Sequence, residues 1–291
     1  MKTVIIWANC QGGAIKFMLD KYYKNLFDIY VYANYDYIKN NIKLPDIFYK
    51  CDIFIYQNYS FNENIDYDIK YIIENILPTN VQKISFPTLH RNYLQFCYDV
   101  NSPENKYTIN NEKPHGEFFY GIYNVRENIY KYKKLNYSDV IIKKEISHDI
   151  KKLDFILSEQ IIKYQNDSLN FLRLKALNSD IPDIYNYILN NYKVKRLWHN
   201  PNHPNGILLN ELCREIFKKM NLIYIDNLEN INLLDNMLND WKMPIFDSII
   251  KYYDMVNIDN NCSSWYNKSI TNIDTYISEY IDFCLKNLLI P

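Results

Sequence analysis

The chain has 291 residues, of which 48% are hydrophobic and 23% are charged, so it can form one large domain or two small ones. Its formal net charge is −1 and its basic residues are spread evenly, which argues against a nucleic-acid binder held by phosphate contacts. Six well-separated cysteines without a CxxC pair are typical of reduced thiols, and no apolar run approaches the length of about eighteen that a membrane helix needs. Because the chain runs from Met1 straight into an apolar strand, no signal peptide and a cytoplasmic location are expected.

The first fourteen residues predict a strand, a tight turn and a helix, with a cysteine at the turn. Val4–Ala8 is a short apolar run, and apolar residues return at helical spacing after the turn. Cys10 would then lie at the positive end of a helix dipole, which favours thiolate near neutral pH. Gly12 and Gly13 permit the turn and would let a ligand approach the backbone closely. Equally, Cys10 could be a small buried residue and the glycines part of an ordinary loop.

Strand and helix signals alternate as far as residue 90. Further apolar strands are predicted at 27–33, 51–57 and 81–86, with helical segments between them. Such alternation is typical of a parallel sheet covered by helices, in which ligands bind beyond the carboxyl ends of the strands. Polar clusters at three strand ends should therefore meet at one edge of the sheet; they are Asn9–Cys10, Gln57–Asn58 and Pro87–His90.

The second half of the chain is predicted to be largely helical. Amphipathic or apolar patterns predict helices at 146–164, 168–177, 184–192, 207–220 and 273–288. No internal repeat and no linker rich in glycine or serine divides the chain. We therefore expect one α/β domain over residues 1–291. Its core would be 1–95 and 193–226, and its mainly helical additions 96–192 and 227–291.

The stretch Trp198–Asn205 holds two histidines and three asparagines between prolines. The prolines fix φ and stiffen the loop, which helps if a side chain must be held in one pose. Pairing Cys10 with His203 would give a nucleophile and a general base, and Asn200 could hold the imidazole tautomer. His199 is the competing base. Alternatively, these histidines only cap a helix in a proline-rich turn.

Strand-end amides offer a place for a developing oxyanion. Gln57 or Asn58 could donate an amide N–H there, beside the main-chain N–H groups of Cys10 and Gln11. His90 follows another strand end. Each of these residues could equally do no more than satisfy backbone groups.

Cofactor motifs are weak in this chain. No GxGxxG follows the first strand and no P-loop lysine is present, which disfavours dehydrogenase and NTPase functions. No metal site is expected, because the prolines between His199 and His203 prevent the helix that would place both on one face, and no acidic ligand accompanies them.

The opening Asn9-Cys10-Gln11-Gly12 after a first strand resembles the start of WcbI-type polysaccharide biosynthesis enzymes. Similar later blocks lie at 52–57, 85–87 and 196–205, so the motifs extend over residues 1 to about 222. The resemblance implies a parallel-sheet core like that of SGNH hydrolases or flavodoxin, with cysteine where SGNH enzymes have serine. It also implies an acyl-coenzyme A donor and a sugar acceptor.

Two departures from the family pattern have consequences. Trp7-Ala8 stands where a small glycine precedes Asn-Cys, and we expect this to narrow the site. Asn200-Pro-Asn-His203 has the spacing of the SGNH Asp-x-x-His with asparagine for aspartate. Asn200 could therefore orient His203, but it could not stabilise an imidazolium as a carboxylate would.

These observations predict an O-acetyltransferase that moves an acyl group from acetyl-coenzyme A to a sugar hydroxyl in capsular or surface polysaccharide biosynthesis. The alternatives are a thioesterase or esterase with the same Cys–His site, and a noncatalytic glycan- or coenzyme A-binding subunit. No nucleic acid, membrane insertion or metal is expected. The expected catalytic residues are Cys10, His203 and Asn200. Oxyanion or substrate contacts are expected from Gln11, Gly12, Gln57, Asn58, His90 and His199. Coenzyme A contacts are expected from Gly12, Gly13, Arg91 and Arg196.

Overall fold

The computed structural model describes residues 1–40, 42–58, 68–90, 98–99, 121–122, 125–156, 158–239, 241–256, 258–263 and 272–286. Two compact units are formed, each from separate stretches of the sequence. Unit 1 comprises Met1–His90, Leu169–Asn191 and Asn202–Leu238, and unit 2 comprises Arg91–Ser168, Tyr192–Pro201 and Asn239–Pro291. The description of residues 1–291 as one domain stays a prediction.

Strands and helices follow one another in the first ninety residues, and helices dominate afterwards. The strands are β1 Lys2–Ala8, β2 Phe27–Ala33, β3 Ile53–Gln57, β4 Gln82–Phe86, β5 Tyr98–Asp99, β6 Gly121–Ile122, β7 Trp198–Asn200 and β8 His203–Pro204. The helices are α1 Gln11–Tyr23, α2 Asn34–Asn40, α3 Ile69–Tyr71, α4 Val125–Lys134, α5 Asp139–Ile156, α6 Ser158–Leu177, α7 Asp183–Asn191, α8 Gly206–Lys219, α9 Leu228–Asp235, α10 Asp247–Tyr252 and α11 Ile273–Lys286. This order confirms the predicted α/β class with a helical second half.

A parallel sheet of four strands, in the order β2-β1-β3-β4, forms the centre of unit 1. After β1 the chain adds β2 on one side, then crosses to the other side for β3. The strand order therefore reverses between β1 and β3, and the crevice for a ligand is expected beyond the carboxyl ends of these two strands. Trp7 is opposite Tyr56, and Gln57 is opposite Phe86, so three strands end almost level.

The two faces of β1 are covered by different helices because its side chains alternate. On one face, Gly12 of α1 is so close that an added Cβ would lie 3.0 Å from Ala8 Cβ and 3.1 Å from Ile6 Cγ2. On the other face, the ring of Trp7 lies 5.8 Å from that of Phe48 and is 1% exposed. The expectation that Trp7 narrows the site is therefore wrong, because its ring is buried in the core on the face of the sheet that contains Phe48.

The remaining elements of unit 1 complete this layer arrangement. A 3-10 turn at Asp46–Lys50 supplies Phe48, and α3 continues into a π-helical turn at Ile72–Ile76. Helix α8 packs against α1, α7 and α9. Gly206 at its start has no room for a side chain, since a Cβ would lie 2.1 Å from the Ile231 carbonyl oxygen.

Unit 2 is mainly helical. Ile142, Ile146 and Ile150 recur at helical spacing on α5 and are buried. Helix α5 packs against α4, α10 and α11, and β5 pairs with β6 in an antiparallel pair. Among the described residues, no helix is both long enough and apolar enough to cross a lipid bilayer.

Candidate active site

Cys10 lies at the N-cap of α1, directly after β1 and at the carboxyl edge of the sheet. Asn9 shapes the turn: its Oδ1 accepts from the Gln11 N–H at 3.0 Å, and its carbonyl accepts from the Gly12 N–H at 2.9 Å. Cys10 is partly exposed. The other described cysteines are buried; they are Cys51, Cys213, Cys262 and Cys284. Among the described cysteines, Cys10 is thus the one with solvent exposure above the buried class.

The side chain of Gln11 joins the polar clusters at the strand ends. Its Oε1 accepts from Gln57 Nε2 and from the Leu89 N–H, both at 3.2 Å. Its Nε2 lies 3.4 Å from the carbonyl oxygens of Leu89 and Asn202. Gln57 Oε1 also accepts from the Asn9 N–H at 2.8 Å. The ends of β1, β3 and β4 and the loop before β8 therefore form one hydrogen-bonded network, in which Gln11 is fully buried.

The groups predicted to hold an oxyanion already have partners. The Gln11 N–H donates to Asn9 Oδ1, and Gln57 Nε2 donates to the side chain of Gln11. Asn58 Nδ2 donates to the Asn178 carbonyl at 3.3 Å. An oxyanion at this edge would have to share or displace these partners, so their role in catalysis stays a prediction.

His90 makes a contact that the sequence did not reveal. Its Nδ1 contacts Asn202 Oδ1, and both residues are half-buried. Asn202 lies within the motif that contains His203. Nothing in the sequence indicated that the Asn202 side chain would contact His90, which follows β4.

The residues predicted as a base and its partner lie on β7 and β8. His203 is half-buried on β8, directly after Asn202. Asn200 is fully buried in unit 2, and its Nδ2 donates to the Trp241 carbonyl at 3.4 Å. His199 is 2% exposed and its carbonyl accepts from the Met243 N–H at 2.9 Å. The pairing of Asn200 with His203 stays a prediction.

Arg196, predicted to contact coenzyme A, is buried and bonded to the main chain of unit 2. A guanidinium has five N–H donors. Those of Arg196 are directed at the carbonyls of Trp198 (2.9 Å), Asp259 (3.3 Å), Asn261 (3.0 Å), His199 (2.9 Å) and Met243 (2.5 Å). All five donors are thereby used, and this geometry does not support a phosphate contact. Arg91, the other predicted arginine, lies outside the described residues.

The two glycines after Cys10 differ. Gly12 is packed against β1, so its lack of a side chain serves helix–strand packing. A Cβ on Gly13 would lie 3.7 Å from Met237 Cε, an ordinary van der Waals distance. The contact of either glycine with coenzyme A stays a prediction.

Tyr35 is a further residue of this edge that the sequence argument missed. It follows β2, and its N–H donates to Asn34 Oδ1 at 2.8 Å. Burial raises the pKa of Tyr35, and the nearby charges of Asp36 and Cys10 add to the effect. The ring is thus near enough to Cys10 for electrostatic coupling. The end of β2 at Ala33 was the signal that could have found it, because all carboxyl ends of a parallel sheet share one edge.

No group of three or more His, Cys, Asp or Glu side chains within the described ranges could hold a metal ion.

Comparisons with protein families and with curated proteins found no match for this sequence. Among solved structures the chain is similar to WcbI, described as a novel polysaccharide biosynthesis enzyme. The TM-score is 0.67 at 15% sequence identity, and the match covers 98% of this chain and 90% of that chain. The WcbI structure is described as native protein without a disulfide bond between coenzyme A and one of its cysteines. The likeness confirms, for the fold, the predicted resemblance to WcbI-type enzymes.

Proposed function

We propose that the protein is an acetyl-coenzyme A-dependent O-acetyltransferase that acts on a sugar hydroxyl in capsular or surface polysaccharide biosynthesis. The observation that carries the proposal is the Gln11 network at the edge where the strand order reverses. The network links a partly exposed thiol to chain segments that contain His90 and His203. The proposal takes coenzyme A and polysaccharide biosynthesis from the description of the WcbI structure, because this chain shares the fold of WcbI.

In the proposed reaction, a histidine takes the proton from Cys10 Sγ. The thiolate attacks the acetyl carbonyl carbon, and the tetrahedral oxyanion lies against the Cys10 N–H, assisted by Gln57 or Asn58. Collapse breaks the thioester bond and forms acetyl-Cys10, while the leaving coenzyme A thiolate takes the proton from the imidazolium. The sugar hydroxyl then gives its proton to the same histidine and attacks the carbonyl carbon of acetyl-Cys10. The S–C bond of acetyl-Cys10 breaks, the acetylated sugar leaves, and the Cys10 thiolate takes the proton back from the imidazolium. His203 is the base predicted from the sequence, with His199 as its predicted competitor. The contact of His90 with Asn202 makes His90 a further candidate.

Direct transfer is the simpler variant. The histidine would deprotonate the sugar hydroxyl, which would attack acetyl-coenzyme A without an acetyl-enzyme. Mass spectrometry of the protein after brief exposure to acetyl-coenzyme A alone separates the two routes. An acetyl group on the peptide that contains Cys10 supports the covalent route.

The coenzyme A site is proposed to begin at Cys10 and Tyr35 and to exclude Arg196, whose donors are all taken up by carbonyls. Arg91 remains a predicted coenzyme A contact.

The test is incubation of the full chain with acetyl-coenzyme A, with and without a panel of sugar acceptors. Released thiol and acetylated sugar are both measured. We expect thiol release that depends on the acceptor and that Cys10→Ala lowers by about 100-fold or more. His148→Gln is the control, because His148 is exposed on α5.

Two results would contradict transfer. Thiol release independent of any acceptor would favour a thioesterase or esterase at the same site. Absence of turnover in both wild type and Cys10→Ala, together with binding of coenzyme A or glycan by calorimetry, would favour a noncatalytic binding subunit.

A further inference from the structure

We infer that His90 is the general base of this site and that Asn202 is the residue that positions it. This inference rests on the proposed function, and it concerns residues that the sequence argument assigned differently. His90 was expected to contact substrate, and Asn202 had no predicted role.

The first support is the way in which His90 is tied to the cysteine turn. The side-chain amide of Gln11 pairs with both main-chain groups of Leu89, accepting from its N–H at 3.2 Å and approaching its carbonyl at 3.4 Å. His90 follows Leu89 and Cys10 precedes Gln11 in the sequence. His90 and Cys10 are therefore both sequence neighbours of residues joined by this pair of hydrogen bonds, Leu89 and Gln11. The His90 N–H donates to the Thr88 carbonyl at 3.0 Å, which fixes the backbone at this point.

The second support is the tautomer that Asn202 imposes. Asn202 Oδ1 contacts His90 Nδ1. An amide oxygen accepts hydrogen bonds and cannot donate them, so Nδ1 carries the proton and Nε2 keeps its lone pair. Nε2 is the atom that would take the proton from Cys10 Sγ. Asn202 is itself held by its carbonyl, 3.4 Å from Gln11 Nε2, so the network that ties down His90 also ties down its orienting amide.

The predicted alternative, His203 with Asn200, is arranged differently. The Nδ1 atom of His203 is buried, and Asn200, its predicted partner, donates its amide to the Trp241 carbonyl. Among the titratable groups, Tyr35 on α2 is electrostatically coupled to Cys10, and Tyr35 is itself coupled to Asp36 on the same helix. The raised pKa of Tyr35 keeps its phenol neutral in the range tested below.

The primary test is the pH profile of Cys10 alkylation by iodoacetamide, measured from pH 5 to 9 by mass spectrometry of the Cys10 peptide from the full chain. A histidine that accepts the thiol proton keeps Cys10 reactive below neutral pH. We expect His90→Gln to lower the rate at pH 6 by about 10-fold or more and to move the profile towards that of an ordinary thiol near pH 8.5. His148→Gln should leave the profile unchanged.

Asn202 variants separate orientation from packing. Asn202→Asp keeps an acceptor for Nδ1–H and adds a carboxylate that stabilises the imidazolium, so we expect Cys10 to be at least as reactive at pH 6 as in the wild type. Asn202→Leu has similar size and no acceptor, and we expect it to lose about 10-fold of the rate at pH 6. Equal profiles for these two variants would overturn the positioning role.

The tautomer of His90 can be measured directly by NMR, which does not depend on whether a His90 variant folds. The chain has five histidines, so selective 15N labelling gives a long-range 1H–15N spectrum that is assigned one residue at a time. We expect neutral His90 to be protonated at Nδ1, and to lose that preference in Asn202→Leu. Protonation at Nε2 in the wild type would overturn the inference.

A profile that shifts in His203→Gln and not in His90→Gln would also overturn it, as would a profile that shifts in neither. These readouts use no acetyl-coenzyme A and no sugar. A protein with the expected profile and tautomer but no acetyl transfer would therefore refute the proposed function and leave the His90–Asn202 pair standing.

Discussion

Gln11 has a fully buried amide whose oxygen and nitrogen both serve other chain segments. Gln11→Leu gives a side chain of similar size without the amide. The buried Leu89 N–H then loses its acceptor. Because an unsatisfied buried group costs about 1–3 kcal/mol, we expect the free energy of unfolding to fall by about 2–4 kcal/mol. Urea denaturation measures this loss.

The matched control is Gln82→Leu. Gln82 is exposed and makes one side-chain bond, to the Lys219 carbonyl at 3.2 Å. Its replacement should change the free energy of unfolding by about 0.5 kcal/mol or less. Similar small losses in both variants would mean that the Gln11 network does not hold the site together.

Gly12 and Gly13 form a second matched pair. An added Cβ at Gly12 would press on Ala8 Cβ and Ile6 Cγ2, which are fixed to a central strand. We expect Gly12→Ala to destabilise by about 1–2 kcal/mol despite its better helix propensity. Gly13→Ala meets an ordinary contact at 3.7 Å and should be neutral or stabilising by up to about 1 kcal/mol. Thermal unfolding of both variants checks the difference, and equal shifts would contradict it.

Individual residues were predictable where their role follows from position along a strand. Cys10 was expected at a strand–helix turn and lies there, because an apolar run and a helical pattern flank it. The prediction that Trp7 narrows the site was wrong, because side chains alternate along β1 and a shift of one position changes the face on which a side chain lies. The hydrogen-bond partners of Asn200 and Asn202 could not be predicted, because the motif contains several asparagines and their partners depend on the tertiary fold.

At the level of elements, local pattern predicted the alternation of strands and helices in the first ninety residues. It also predicted α7, α8 and α11 to within a few residues of their observed bounds. Strand order could not be predicted, because an apolar run indicates that a strand is buried but does not determine which strands lie beside it. The reversal between β1 and β3, which gives the candidate site its place, is a property of nonlocal pairing.

Arg196 shows how one side chain can organise several chain segments. Its guanidinium joins the carbonyls around β7 to those of Met243, Asp259 and Asn261. We expect Arg196→Lys to lower the free energy of unfolding by about 2–4 kcal/mol, because lysine keeps the charge but cannot serve five acceptors. Urea denaturation measures it, and binding of coenzyme A to the folded variant should be unchanged. Unaltered stability with weakened coenzyme A binding would instead support the original phosphate role.

At the scale of the whole molecule, Cys10 is partly exposed and the other cysteines within the described ranges, which belong to both units, are buried. Burial raises the pKa of Cys51 to about 12 and that of Cys262 to about 11, with the Arg196 charge partly opposing the shift at Cys262. Burial also raises the pKa of Cys213. These thiols stay protonated at neutral pH, and composition alone could not distinguish them from Cys10.

The raised pKa values make stability depend on alkaline pH. An unfolded cysteine ionises near pH 8.5, whereas folded Cys51 and Cys262 keep their protons until about pH 12 and 11. Between these limits the unfolded chain binds fewer protons, so the free energy of unfolding falls as pH rises, by up to about 1.4 kcal/mol per pH unit for each thiol. We expect urea denaturation to show little change from pH 7 to 8 and a steady decline from pH 9 to 10. In Cys51→Ala that decline should be shallower by up to about 1.4 kcal/mol per pH unit, because one of the groups that ionise on unfolding is gone. The same slope in both proteins would mean that Cys51 is already ionised, or open to solvent, in the folded chain.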